Sequence, residues 1–175
     1  TDVRITHSVA GRGGSSFYGG APGGHGGAIY NAATITGYRV TFDENSAGDG
    51  GESPHGDYAR GGSGGAIYNE AGATLILYAA TFAGNTHGYR IGLGNAVYTL
   101  GDAMFRSSTF LFNGGPSAAI AANGAGAVYL STTIMADAPG CENFGVANLW
   151  DLGFNLATRG GECGLSTAWG SILNA

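Results

Sequence analysis

The hexapeptide Gly-Gly-Ala-Ile-Tyr-Asn occurs twice, at 26–31 and 64–69, and each copy is followed about a dozen residues later by Thr-Phe-x-x-Asn, at 41–45 and 81–85. A third Thr-Phe-x-x-Asn lies at 109–113. A chain that repeats a pair of motifs in fixed order is a stack of similar units, each using its neighbours as core.

Aligning on the Thr before Phe gives Thr41, Thr81 and Thr109, and weaker copies extend the series to Thr6 and Thr133, at intervals of 35, 40, 28 and 24 residues. The basic unit therefore needs about two dozen residues, with a further copy suggested near Gly153-Phe154-Asn155-Leu156. Within a unit stand three short apolar runs: Ala28-Ile29-Tyr30, Thr34-Ile35-Thr36 and Val40-Thr41-Phe42, repeated as Ala66-Ile67-Tyr68, Thr74-Leu75-Ile76-Leu77 and Ala80-Thr81-Phe82. Runs of this length are too short for helices, and their β-branched, alternating composition predicts strands. Three strands per unit in constant order predict an all-β, right-handed parallel β-helix of about five to six coils, with glycine-rich loop insertions and coils ~4.8 Å apart.

Alternation sorts inside from outside. The expected core columns are Ile29, Ile67, Val97 and Ile120; Ile35, Leu75, Met104 and Val128; and Phe42, Phe82, Phe110 and Ile134. A Thr column (Thr41, Thr81, Thr109, Thr133) and a Tyr column (Tyr30, Tyr68, Tyr98) are expected to face outward. Asparagines recur at strand ends, Asn31 and Asn69 after the first strand and Asn45, Asn85 and Asn113 after the third. Asn tolerates the left-handed backbone of a tight corner, and its amide can bond the same amide one coil away, so these read as structural ladders. The glycines read as corner residues as well.

The composition narrows the function classes. There is no Lys, seven Arg are scattered, and the net charge is −5, so no stripe exists to neutralise phosphates and nucleic acid is an unsuitable partner. No apolar run reaches the ~20 residues of a membrane span. The 35 glycines and sparse charge leave a surface of Gly, Ala, Ser, Thr, Asn and Tyr. Cys141 and Cys163 form an even count without metal-type spacing, which suggests a disulfide and an oxidising compartment, with a pair of buried thiols as the alternative. The chain reads as a single domain over 1–175, and with neither signal peptide nor initiator Met it is expected to be a processed or excised part of a longer protein.

Catalytic signals are thin. Asp43 and Glu44 are adjacent and point to opposite faces, and Asp102 stands alone, so no strand presents the paired carboxylates of a glycosidase. The insertions at 11–25, 48–63 and 86–93 leave the coil at one corner and should lie side by side. They hold Asp49, Glu52, His55 and Asp57, with His25 ending the neighbouring loop, a His/carboxylate set that matches no defined metal motif. Ser53-x-His55-x-Asp57 lacks a nucleophile elbow. No catalytic residue, cofactor or metal is assigned. The Tyr column offers an aromatic ladder for a sugar or a protein surface, with plain stacking as the alternative. A Thr column one residue wide makes ice binding a poor fit.

The Gly-Gly-Ala-Ile and Phe-x-x-Asn pairs resemble the repeat of the polymorphic outer-membrane autotransporters of chlamydiae, and of the broader group of secreted bacterial right-handed parallel β-helix repeat proteins. The tail Cys141-Glu142-Asn143, Gly153-Phe154-Asn155-Leu156 and Glu162-Cys163-Gly164 is similar to the end of the β-helix in that group, where two cysteines bracket a Gly-Tyr/Phe-Asn-Leu segment. The resemblance implies a secreted or surface-displayed passenger, often adhesive or structural and part of a larger polypeptide. The autotransporter barrel is not in this sequence.

Residues 2–6 already read as a third strand, and an uncapped stack exposes edge hydrogen bonds that invite another chain. The expected function is therefore a non-catalytic extracellular or cell-surface β-helix with a structural, self-assembling or adhesive role. Its partners would be its own copies or a surface glycan or protein. The alternative is a carbohydrate-binding or polysaccharide-degrading protein of the pectate-lyase kind.

Overall fold

The computed structural model describes residues 2–56, 58–115, 117–136, 140–143, 148–158, 163 and 165–173. In chain order the strands are β1 (Val3–Thr6), β2 (Ile29–Asn31), β3 (Thr34–Tyr38), β4 (Val40–Asp43), β5 (Ile67–Asn69), β6 (Thr74–Tyr78), β7 (Thr81–Ala83), β8 (Val97–Thr99) and β9 (Asp102–Arg106). There follow β10 (Thr109–Leu111), β11 (Ile120–Ala122), β12 (Ala127–Ser131), β13 (Ile134–Met135), β14 (Cys141–Asn143), β15 (Asn148–Asp151), β16 (Leu156–Ala157) and β17 (Ile172–Leu173). A single 3₁₀ turn, Thr167–Trp169, is the only helix among the described residues.

All described strand pairs are parallel, in three sheets: β1-β4-β7-β10-β13-β16-β17, β14-β11-β8-β5-β2 and β15-β12-β9-β6-β3. From β2 to β13 the chain visits the second, third and first sheets in that order and then repeats, an arrangement consistent with a parallel β-helix. Parallel pairing needs a connection around the structure, and this sequence supplies it with two further strands rather than a helix.

The core is built from like residues in register. Ile29, Ile67, Val97, Ile120 and Cys141 align in one sheet, and Phe42, Phe82 and Phe110 in another, their rings stacked at 4.9 and 4.6 Å. Phe105 meets Phe82 and Phe110 edge-on, at 6.0 and 5.3 Å, so an aromatic cluster fills the middle of the stack.

Two expected columns are corrected by the register. Ala103, not Met104, pairs with Leu75 and Val128, and Met104 lines up with Ile76 and Tyr129 on the outer side. In Asp102–Arg106 the inward positions are Ala103 and Phe105, and the larger Met104 falls between them. Met135, not Ile134, follows Phe110 in the core, while Ile134 continues the outward Thr column after Thr109. Thr133 is therefore fully buried, its single hydroxyl proton shared between the carbonyls of Phe105 and Ser131 at 3.2 and 3.1 Å. At the other end Arg4, rather than Thr6, pairs with Thr41.

The corners have their own columns. Gly26, Gly64 and Gly94, each three residues before Ile29, Ile67 and Val97, take φ of 64°, 70° and 68°, the left-handed region that glycine enters without a Cβ penalty. A second column, Arg39, Ala79, Ser107 and Thr132, adopts φ of 50–52° with non-glycine residues between the third and first sheets. A third holds His7, Glu44, Gly84 and Phe112. These precede Ser8, Asn45, Asn85 and Asn113, so the left-handed residue is the neighbour of each Asn and not the Asn itself.

Candidate functional site

Tyr30, Tyr68 and Tyr98 stand in register on β2, β5 and β8, with ring centroids 5.1 and 5.3 Å apart and planes 11° and 26° from parallel. His25, from the first loop, stacks on Tyr68 at 4.5 Å. Rings stacked along the sheet turn their faces to one another, so a sugar finds mainly edges and hydroxyls. Tyr98 is only 8% exposed, and its hydroxyl accepts from Asn123 Nδ2 at 3.1 Å. Tyr30, at 51%, is the member open to a partner.

The environment holds the Tyr68 and Tyr30 phenols neutral. Burial, then neighbouring Tyr98, Tyr30 and Glu70, push Tyr68 up to about 12. Tyr30 is raised by its hydrogen bond to Glu70, then by burial. His25 accepts the Ser63 N–H at Nδ1 (2.9 Å), and burial lowers its pKa. Sequence reasoning missed a second pair, Tyr38 and Tyr78, stacked at 4.8 Å on β3 and β6. The signal that could have found it is position within the repeat: each tyrosine closes its strand, in the same place relative to Thr34 and Thr74.

The Asn ladders are buried. Asn31 Nδ2 donates to Asn69 Oδ1 at 2.7 Å, and Asn69 Nδ2 to Thr99 Oγ1 at 2.9 Å. Asn45 Nδ2 donates to Asn85 Oδ1 at 3.0 Å, and Asn85 Nδ2 to Asn113 Oδ1 at 2.8 Å. Each of these amides also satisfies backbone groups, as where Asn85 Nδ2 reaches the Phe42 carbonyl at 3.0 Å. They hold the corners together and face away from any partner.

The three insertions lie side by side and are hydrogen-bonded backbone to backbone: Gly48 N–H to the Gly24 carbonyl (2.9 Å), Gly62 to Gly48 (2.7 Å) and Gly88 to Gly62 (2.9 Å). Several of the loop glycines serve close approach rather than corners. A Cβ on Gly48 or Gly88 would lie 2.0 Å from the carbonyl oxygen of Gly11 or Gly48. Phe17, Tyr18, Tyr58, Tyr89 and Ile91 project from this glycine array and are exposed. The Arg90 guanidinium covers the Tyr58 ring at 3.3 Å.

The loop His/carboxylate set does not converge. Asp49 Oδ1 accepts the Tyr89 N–H, Glu52 pairs with Arg12 at 2.8 Å, and His55 meets Phe17 edge-on at 4.7 Å. Asp57, Glu162 and Gly164 lie outside the described residues. Among the described residues no group of three or more His, Cys, Asp or Glu has metal-holding geometry. On the strands Asp43 is paired with Arg4 and Glu44 with His7 (2.7 Å), while Asp102 Oδ1 accepts the Ala127 N–H at 2.9 Å.

Cys141 and Cys163 are joined in a disulfide in the core near the final strands. The same end contains a polar hub that no motif announces. Asp151 accepts from the Gly153 and Ser166 N–H groups, Asn155 Nδ2 and Ser171 Oγ at 2.7–3.0 Å. Burial raises its pKa, but these hydrogen bonds outweigh it and hold the carboxyl below its ordinary value. Around the hub Trp150, Leu152, Phe154, Trp169 and Ile172 are exposed, and a cleft of ≈ 390 Å³ opens between Trp150 and Trp169.

The chain matches no protein-family model, no curated protein and no solved structure. No described helix is long and apolar enough to cross a membrane.

Proposed function

We propose that the three sheets are the faces of a right-handed parallel β-helix of about five to six coils, and that the protein is a non-catalytic extracellular or cell-surface structural element that self-associates or adheres. The right hand follows from the strong preference of parallel crossover connections. One observation carries the functional reading: the stack presents apolar side chains at both edges of its sheets. At one edge β2 and β3 are terminal strands, with Tyr30 and Tyr38 exposed at 51% and 62%. At the other, β15 and β17 are the last described strands of their sheets, with Trp150 and Trp169 nearby exposed at 52% and 65%.

A strand at the edge of a sheet favours addition of a further strand, and aromatic side chains beside it favour burial against a partner. The disulfide supports an oxidising location. The secreted bacterial β-helix type is supported by the motif resemblance alone. Sedimentation velocity across a concentration series, with negative-stain electron microscopy, tests the proposal. Concentration-dependent growth into rods or fibres is expected, and strictly monomeric particles throughout would sink self-association.

A further inference from the structure

The three insertions and the Tyr column enclose a pocket of ≈ 310 Å³, at the lower end of the range for small-ligand sites. His25 reaches it from the first insertion and Arg60 from the second, while Tyr68 and Tyr98 line it from β5 and β8 and Asn123 from just beyond β11. Stacking of His25 on Tyr68 at 4.5 Å, and of Tyr68 on Tyr98 at 5.3 Å, joins the loop to the ladder at this point.

The polar groups of the lining are donors. His25 Nδ1 accepts the Ser63 N–H at 2.9 Å, so the proton of the neutral ring sits on Nε2. Burial lowers the His25 pKa and favours that neutral ring. The Tyr98 hydroxyl oxygen accepts from Asn123 Nδ2 at 3.1 Å, which leaves its own proton to give. Among the described residues the Tyr68 hydroxyl has no hydrogen-bond partner and is not sealed from solvent, so an entering ligand can reach it. With its pKa pushed up to about 12, the phenol keeps its proton at any ordinary pH.

The charge of the lining points the same way. Arg60 is exposed and forms no ion pair among the described residues, and no carboxylate lines the pocket. Glu70, which acts on the Tyr68 phenol from outside the lining, is engaged by the Tyr30 hydroxyl. A guanidinium and neutral donors with no acid beside them favour an oxyanion. One positive charge balances one negative charge, whereas a dianion would leave a charge unmatched beside the phenols. Ile91 and Leu93 line the same pocket and offer apolar contact to the rest of a ligand.

We infer that this pocket binds a compact organic monoanion, whose carboxylate or sulfate oxygens accept from the Arg60 guanidinium, His25 Nε2 and the Tyr68 hydroxyl while its carbon body lies against Ile91 and Leu93. The site stands whether or not copies of the chain associate.

Isothermal titration calorimetry with benzoate, methyl sulfate, inorganic phosphate and the neutral benzamide tests the preference. Long-range proton–nitrogen correlation on the ¹⁵N-labelled chain, at a pH where the ring is neutral, follows His25 Nε2 in the same titrations. Benzoate or methyl sulfate should bind saturably and shift Nε2, and the tighter of the two identifies the head group. Benzamide, which has the shape of benzoate without its charge, should bind at least about tenfold more weakly than the preferred anion. Arg60→Gln, at an exposed position, should weaken that anion about tenfold. Tyr68→Phe keeps the stacked ring, removes the hydroxyl, and should weaken it severalfold. The proposal is overturned if neither monoanion gives a saturable response, if benzamide or phosphate binds as tightly as the monoanions, or if either folded variant binds undiminished.

Discussion

Asn45 and Asn85 lie one layer apart with a single oxygen between them: Asn85 Oδ1 accepts both the Asn45 backbone N–H and Asn45 Nδ2, each at 3.0 Å. Both residues are fully buried. The pair is repeated upward, where Asn113 Oδ1 accepts the Asn85 N–H at 3.2 Å and Asn85 Nδ2 at 2.8 Å. A side chain thereby continues the backbone ladder around the corner, where the strands themselves have stopped pairing.

Asn85→Ala should be among the most damaging single changes on the chain. It leaves the Asn45 backbone N–H without its acceptor, leaves Asn45 Nδ2 with only the Ile5 carbonyl, and takes a donor from the Phe42 carbonyl in a buried corner. The expected loss is about 3 kcal/mol or more, read as a lower midpoint in urea unfolding. Asn31→Ala, on the terminal strand β2, should cost less, because Asn31 has a same-sheet neighbour on one side only. Equal losses would contradict the ladder as the source of the effect.

Tyr68 should ionise late in an ultraviolet phenolate titration, near pH 12 rather than the ordinary 10.0. Its folded pKa is raised, so its contribution to stability is complete below the unfolded value and is lost as pH rises through the folded one. Tyr68→Phe keeps the stacked ring and removes the titration. The variant should lose less stability than the parent between pH 10 and 12, measured by thermal melts across that interval.

Asp151 should set the acid stability of the final strands. Its folded pKa lies below the ordinary 3.8, so its contribution is present above that value and is lost as pH falls through the folded one. Asp151→Asn sets its NH2 group against the N–H of either Ser166 or Gly153, which donate to different oxygens of the carboxylate, and should lower the melting temperature at neutral pH while flattening its fall in acid. An unchanged acid profile would show that another carboxylate dominates.

Much of the fold is legible because its core is a copy of itself. Phe42, Phe82 and Phe110 carry the same neighbours in sequence and therefore the same neighbours in space. Reading fails where the pattern offers two adjacent choices. Thr132-Thr133-Ile134-Met135 can be aligned on either Thr, and only pairing of Thr109 with Ile134 selects the one that buries Met135. Size favours Met104 over Ala103 as a core residue, but in a strand orientation is decided by register. The asparagines stand at the corners as the repeat predicts, yet the left-handed turn belongs to the residue before each of Asn45, Asn85 and Asn113.

The candidate site is less legible. The Tyr column is visible in the sequence, yet its consumption by self-stacking and the burial of Tyr98 follow from spacing that only three dimensions supply. The polar hub at Asp151 has no motif at all. Its partners Gly153, Asn155, Ser166 and Ser171 come from two segments of the chain that only the fold brings together.

By itself the sequence determined the repeating strand order, the like-on-like core and the position of the insertions, because periodic burial leaves a periodic record. Tertiary structure decided which of two neighbouring residues faces inward, how the loop glycines pack and which polar groups gather around Asp151. Those depend on distances between layers some 20 to 40 residues apart in the chain, to which the alternation along any one strand is blind.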